Sequence, residues 1–320
     1  MSGWANYLVF MIATGGFYAL LALSLNLIWG GAGMVNLGLA GFFALGAYAS
    51  ALLTVSVGAP IIVGIIGALL AGAVGGYIVT MSTTRLRGDY LAIVTLGFAE
   101  TIRLVANNEI WLTRGSDGIS GIPGPLKADL GTWFNAACAA GTVAIVALVW
   151  FILRRLDLSP YGRALRAMRE DEQVAQVAGK RILRFKIEAF AISASIAGLA
   201  GALYGHFNSY VAPDIFQPLI TVYIFLAVAA GGVGRVSGAV LGAYLVIFFL
   251  ESTRFAATAI PGLSPVQHAA MREMLIGLAL ILVLRWRPQG ILPERIPPAP
   301  LGARASRPHS LGVMDATTRA

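Results

Sequence analysis

The sequence predicts an all-α polytopic integral membrane protein of about nine transmembrane helices, on three observations. Its 320 residues are 58% hydrophobic and only 12% charged, whereas a soluble domain carries about 25% charged residues. Apolar stretches of the roughly 20 residues needed to cross the hydrocarbon core recur along the chain. Basic residues concentrate in a few segments between them. With a mean hydropathy of +0.78, a soluble core could not hide the apolar surface, so lipid is the solvent for most of this chain.

Nine stretches fit spans: 5–29, 34–56, 59–81, 90–107, 132–153, 186–207, 216–233, 236–252 and 270–286. The glycine-rich segment 30–50 is compatible with a broken or re-entrant helix, so the count runs from eight to ten. No basic residue precedes the first stretch and no small-residue cleavage site follows it, so it is expected to be retained rather than removed as a signal peptide. Residues 1–287 then form one membrane domain. Residues 288–320, rich in Pro, Arg, Ser and Ala without apolar periodicity, are expected to be a disordered tail. The longest loop on the opposite face, 108–131, is dominated by the turn formers Gly, Pro, Ser and Asp.

Charge orients the chain. Arg85 and Arg87, the nine basic residues between Arg154 and Lys186, Arg235, and the six from Arg285 to Arg319 hold 18 of the 23 Lys and Arg residues. With nine spans all four regions fall on one side, which the positive-inside rule makes cytoplasmic. The N-terminus is then outside and the C-terminus cytoplasmic. The net charge of +8 is thereby a topology signal rather than a nucleic-acid footprint. The single cysteine, Cys138, lies inside a span, so no disulfide within the chain and no metal-ligand spacing exists. His206, His268 and His309 are scattered and read as ordinary residues near helix ends or in the tail.

Glycines at four-residue spacing (Gly72 and Gly76; Gly201 and Gly205; Gly234, Gly238 and Gly242) predict close helix contacts, because small residues let backbones approach in lipid. Two segments look alike: GGAGMVNLGLAGFFALGAY (30–48) and GGVGRVSGAVLGAY (231–244). An internal repeat flanking a substrate path and a low-complexity coincidence explain this equally well.

The stretch GRALRAMREDEQVAQVAGKRILRFK (162–186) is the longest charged run. Ser159 and Pro160 suit an N-cap and the first helical position. Apolar residues fall at Leu165, Met168, Val174, Val177 and Ala178, and Gly179 suits a left-handed stop. The apolar stripe is narrow, and Glu170, Asp171 and Glu172 would be repelled by an anionic leaflet. A protein partner fits this mixed charge better than lipid, with a solvated helix resting on the bundle as the competing reading.

At this point a family resemblance becomes specific. The segment 162–205, together with LSLNLIWGGAGMVNLGLAGFFALGAYASALL (23–53), TTRLRGDYLAIVTLGFAETIRLVANN (83–108), TRGSDGISGIPGP (113–125) and AGGVGRVSGAVLGAY (230–244), resembles LivM-type permeases of branched-chain amino acid ABC importers. The resemblance covers about residues 10–292. It implies an inner-membrane subunit of a bacterial importer. The implied partners are a LivH-type second permease, two ATPase subunits carrying ATP and Mg, and a periplasmic or lipid-anchored binding protein. It also implies that Arg166, Arg169, Glu170, Asp171, Glu172, Ala175 and Gly179 couple the chain to the ATPase. The loop departs from the family's EAA pattern, since Gln173-Val174-Ala175 follows Glu172. The chain has no G-x-x-x-x-G-K-[ST] phosphate loop; its only lysines are Lys127, Lys180 and Lys186. ATP hydrolysis is therefore expected on another subunit, with no cofactor on this one.

Polar residues in spans are candidates for the path: Asn26, Asn36, Glu100 and Thr101. Glu100 and Arg103, three apart, can pair, as can Glu251 and Arg254; each pair reads equally as a satisfied ion pair or a substrate contact. Ser116-Asp117-Gly118 reads equally as a contact for the binding protein or as plain turn chemistry. Three competing classes remain: an ABC permease for another amino acid, an amide or urea; an ion-coupled transporter using Glu100; and a membrane enzyme, for which the only acidic cluster lies among arginines.

Overall fold

A chain that spends its length in lipid must satisfy its backbone internally, and helices do so within one segment. A computed structural model describes residues 3–83, 89–125, 127, 131–258, 264–287 and 289–294 of this chain. The principal helices are α1 (Gly3–Asn26), α2 (Leu39–Ala51), α3 (Ile61–Ser82), α4 (Asp89–Asn108), α5 (Phe134–Leu158), α6 (Pro160–Glu170), α7 (Glu172–Val177), α8 (Ile182–Asn208), α9 (Pro218–Gly231), α10 (Val236–Thr258) and α11 (Pro265–Trp286). Turns with wider i→i+5 bonding extend α1 over Leu27–Gly31 and α2 over Leu52–Ser56. The fold is all-α and polytopic.

Eight helices among the described residues are long and apolar enough to cross a membrane. The seventh expected span, 216–233, is instead the 14-residue α9, about 21 Å long at 1.5 Å per residue and short of the ~30 Å core. Local chemistry explains its length: Pro218 occupies its first turn, and Gly232, at φ +120°, ends it. Its mostly buried faces lie against protein. The stretch 34–56 also starts late, at Leu39, because residues 33–38 are not helical.

The core is built on α1, α2 and α8, each about two-thirds buried. All three are apolar on nearly every face, as fits helices surrounded by other helices. Phe17, Phe42, Phe190 and Leu25 are fully enclosed. Where helices touch, glycine admits the neighbouring backbone. A Cβ at Gly46 would overlap the Gly198 carbonyl, one at Gly198 would lie 2.5 Å from the Ala68 oxygen, and one at Gly76 would lie 2.9 Å from the Phe190 oxygen. The expected Gly72/Gly76 and Gly238/Gly242 contacts form; Gly205 instead meets the Val211 side chain.

Within the stretch expected as a tail, residues 291 and 292 touch the bundle. Ile291 and Leu292 donate their backbone N–H groups to the Ala230 and Gly231 carbonyls at 2.9 and 3.0 Å. These are end carbonyls of α9, which no helical N–H reaches, so the irregular segment 289–294 caps that helix. Residues 295–320 lie outside the described residues.

Candidate coupling face and helix break

α6 and α7 lie at one end of the bundle. Ser159 caps α6 by accepting from the Tyr161 and Gly162 N–H groups at 3.2 and 3.4 Å, with Pro160 in the first turn. Ala164, Leu165 and Met168 are buried against the bundle. The helix then breaks at Asp171, which turns extended (φ −152°, ψ 109°) and accepts from the Gln173 and Val174 N–H groups at 2.8 and 3.0 Å. A single helix running to Gly179 is thus replaced by two, because Asp171 outcompetes the helix for its own backbone. The break resets the helical phase. Ala175 becomes the buried residue of α7, while Val174 is 65% and Val177 91% exposed. Gly179, at φ +78°, ends the element as expected.

The three acids have different tasks. Asp171 is a cap, Glu172 pairs with Lys186 at 2.8 Å, and Glu170 is exposed. Arg166 pairs with Asp157. Arg169 reaches inward: it donates to the Gly30 carbonyl and pairs with Glu294 at 3.0 Å. Gly30 ends the wide turn after α1, so a cation there meets the negative end of a helix. Gly33 (φ +70°) lies under Arg169, where a Cβ would come within 2.7 Å of its Cγ.

The two look-alike turns meet at this point. Asn26 Oδ1 accepts from the Gly234 N–H at 2.9 Å, and a Cβ on Gly30 would lie 2.7 Å from Gly234 Cα. Asn26 therefore ties the first GGxG turn to the second. The α6–α7 pair, Arg235 and residues 289–294 share this end; Arg85 and Arg87 lie outside the described residues.

Beyond the break, α2 starts under caps from two other helices. Leu37 N–H donates to Thr95 Oγ1 on α4 at 3.0 Å, and Ala40 N–H to Thr221 Oγ1 on α9 at 3.2 Å. Asn36 is fully buried; its Oδ1 accepts from Gly38 N–H at 2.8 Å, and its Nδ2 has no partner among the described residues. Thr95→Val and Thr221→Val are each expected to lower stability by about 1 kcal/mol, read as the thermal midpoint of the purified protein.

Glu100 and Arg103 pair through three bonds of 2.5, 3.0 and 3.1 Å with both side chains partly exposed, and Arg103 also lies 4.0 Å from Asp214. Thr101 is exposed and donates to its own helix at Gly97. Neither reaches Asn26 or Asn36. Glu251 accepts from Tyr7 Oη at 2.5 Å, while the Arg254 side chain lies outside the described residues.

At the opposite end, Ser116 and Asp117 are exposed in a 3₁₀ turn, and Gly118 (φ +69°) is buried against Val211. The turn leads into β1 (Ile119–Ser120), antiparallel to β2 (Tyr210–Val211). His206 holds this loop. It is 3% exposed; its Nδ1 lies 2.7 Å from the Pro123 carbonyl and its Nε2 2.9 Å from Ser50 Oγ. The carbonyl only accepts, so Nδ1 donates to it. Neither His206 nor the caps Thr95 and Thr221 carried a local sequence signal, since each works through partners more than 55 residues away.

Eight membrane-length helices among the described residues, with a helical pair seated over the break between two of them, define a multi-pass membrane protein. A family model described as the permease component of branched-chain amino acid transport systems matches residues 7–284, and the chain belongs to that family. It is 33% identical over 303 residues to the high-affinity branched-chain amino acid transport system permease protein LivM of Salmonella typhimurium, covering 88% of this chain and 68% of the relative. It is 29% identical to the probable LivM of Methanocaldococcus jannaschii, covering 88% and 91%, and 26% identical to LivH of Escherichia coli, covering 88% and 92%. No solved structure matches it.

Proposed function

We propose that this chain is a membrane subunit of an ATP-driven importer of leucine, isoleucine and valine in the bacterial inner membrane. It works with a LivH-type second permease, two ATPase subunits that bind ATP and Mg, and a periplasmic or lipid-anchored binding protein. The end that carries α6 and α7 is cytoplasmic, a reading supported by the gathering of basic segments there. Ser116 and Asp117, exposed at the opposite end, then face the binding protein, with Gly118 turning the chain behind them.

One observation carries the mechanism. The outer face of α6–α7 presents Glu170, Val174 and Val177 away from the bundle, while its inner face grips the helix break through Arg169. Closure of the ATPase subunits pushes on the outer face. The push passes through Arg169 to the Gly30 carbonyl, and the non-helical residues 33–38 supply the hinge between α1 and α2. Asn36 sits in that hinge, so the same movement changes the polar lining of the path; Asn26 holds the turn before it, while Glu100 and Thr101 reach neither.

The test is ATPase activity of the reconstituted complex in liposomes, with and without binding protein and leucine. Glu170→Arg with Val177→Asp changes only the outer face and is expected to cut leucine-stimulated hydrolysis at least tenfold while the chain still inserts. Full stimulation in that variant rejects coupling through α7. Uptake that follows an ion gradient without ATP rejects the importer itself.

A further inference from the structure

α5 and α10 both pack on α1 and diverge from each other, leaving an apolar groove of about 610 Å³ between them. Val143, Trp150, Leu241, Tyr244 and Phe248 line it. Its floor is close to α1, because Gly15 and Gly16 let the Tyr244 ring and the Thr142 methyl settle onto that helix. From Ser237 to Phe248 the groove runs about 16 Å at 1.5 Å per residue. That is the depth of one leaflet of a ~30 Å hydrocarbon core.

The groove does not end in solvent. At Ser237 it meets a polar cavity of about 270 Å³, lined by Arg154, Arg166 and Arg235 with Asp157 and Glu294. Trp150 makes the corner: its Nε1 donates to Ser237 Oγ at 3.1 Å, and the Arg154 guanidinium lies 5.1 Å from its ring centroid. Both carboxylates are already engaged, Asp157 by Arg166 and Glu294 by Arg169. Arg154 and Arg235 have no carboxylate within 4 Å among the described residues, and Arg235 makes only a long 3.4 Å bond to the Pro293 carbonyl.

We propose that groove and cavity together bind one phospholipid with an anionic headgroup, an acyl chain between α5 and α10 and the phosphate between Arg154 and Arg235. Uncompensated cations at the polar end of a leaflet-deep apolar slot match such a lipid at both ends. A free anion would leave the groove unused. A neighbouring membrane helix would have to bring a carboxylate to the cavity.

The test uses the full chain in its native membrane. Leu241, 39% exposed in the groove, is replaced by a photoreactive amino acid and irradiated. Adducts enriched in anionic phospholipid over the bulk membrane are expected. An adduct to another polypeptide makes the groove a subunit interface and overturns the proposal. Native mass spectrometry with phosphatidylglycerol or phosphatidylcholine supplies the second arm. Arg154→Gln with Arg235→Gln is expected to retain phosphatidylglycerol about 30-fold more weakly, with phosphatidylcholine unchanged. Lys180→Gln with Arg181→Gln removes the same charge outside the cavity and is expected to behave as wild type. Equal loss in the two double variants overturns the site in favour of general attraction to a basic face. Ala147→Trp fills the groove with both arginines in place; undiminished retention there would also overturn it.

Discussion

Replacing Gly46 by valine is expected to abolish stable folded protein. Gly46 sits at the centre of α2 with the backbone of Gly198 on α8 directly against it, and Gly198 in turn admits the Ala68 carbonyl of α3. The obstructing atoms are main chain and cannot swing aside as a side chain would. The α2–α8 crossing must open along its length, and the dispersion contacts of the whole seam weaken together. In lipid no hydrophobic force pulls the helices back. Overpacking of a soluble core costs about 1–3 kcal/mol; here the cost is expected to exceed about 3 kcal/mol, against a total margin of about 5–15 kcal/mol. The measurement is the size-exclusion profile and thermal midpoint after detergent extraction. Gly97→Val is the control, because nothing lies within 4 Å of a Cβ there, and it should behave nearly as wild type. Equal profiles for the two variants would show that the α2–α8 seam does not govern assembly.

The second large effect is expected at Arg169, and on transport rather than folding. Its guanidinium bridges the Gly30 carbonyl and the Glu294 carboxylate. Arg169→Gln should reduce ATP-driven leucine uptake more than tenfold, while the chain folds and still co-purifies with its ATPase subunits. Lysine should not restore uptake, since a compact ammonium cannot reproduce the planar fork that serves two acceptors at once. Glu294→Gln keeps the Gly30 contact and should cost less. The pair can be read as a double-mutant cycle, in which residues sharing one network give a coupling term of about 0.5–3 kcal/mol. Uptake preserved in Arg169→Gln would remove the inner face of α6 from the mechanism.

Local chemistry was legible in the sequence wherever one segment determined its own shape. Ser159-Pro160 announced the start of α6, Gly179 the end of the α6–α7 element, and the glycine-rich segment 30–50 a broken helix, which the structure shows as the break before α2. Long apolar runs located the membrane helices, with α9 the exception because hydropathy does not register where a proline and a left-handed glycine clip a helix short. Asp171 was misleading for a related reason: read as surface charge, it is a cap, and the phase shift it causes exposes Val174 and Val177 instead of burying them. The Glu100–Arg103 pair was readable from its three-residue spacing. Contacts across the bundle were not. Asn26 on Gly234, Thr95 and Thr221 on the start of α2, and His206 on Pro123 each join residues whose separation in the chain carries no pattern. The segment 289–294 looked structureless because it has no period of its own; its order comes from the spare carbonyls of α9.

That last feature also sets a schedule for biogenesis. Gly30 enters the membrane early in synthesis, Arg169 midway, and Glu294 only when nearly all of the described chain has left the ribosome. Until then the guanidinium lacks its carboxylate and α9 its cap. The seat that holds the α6–α7 pair on the bundle is therefore finished last. A nascent chain that is still threading, or one that stalls, cannot hold the pair in its final place, so any partner that reads that placement meets a chain whose membrane helices are already made.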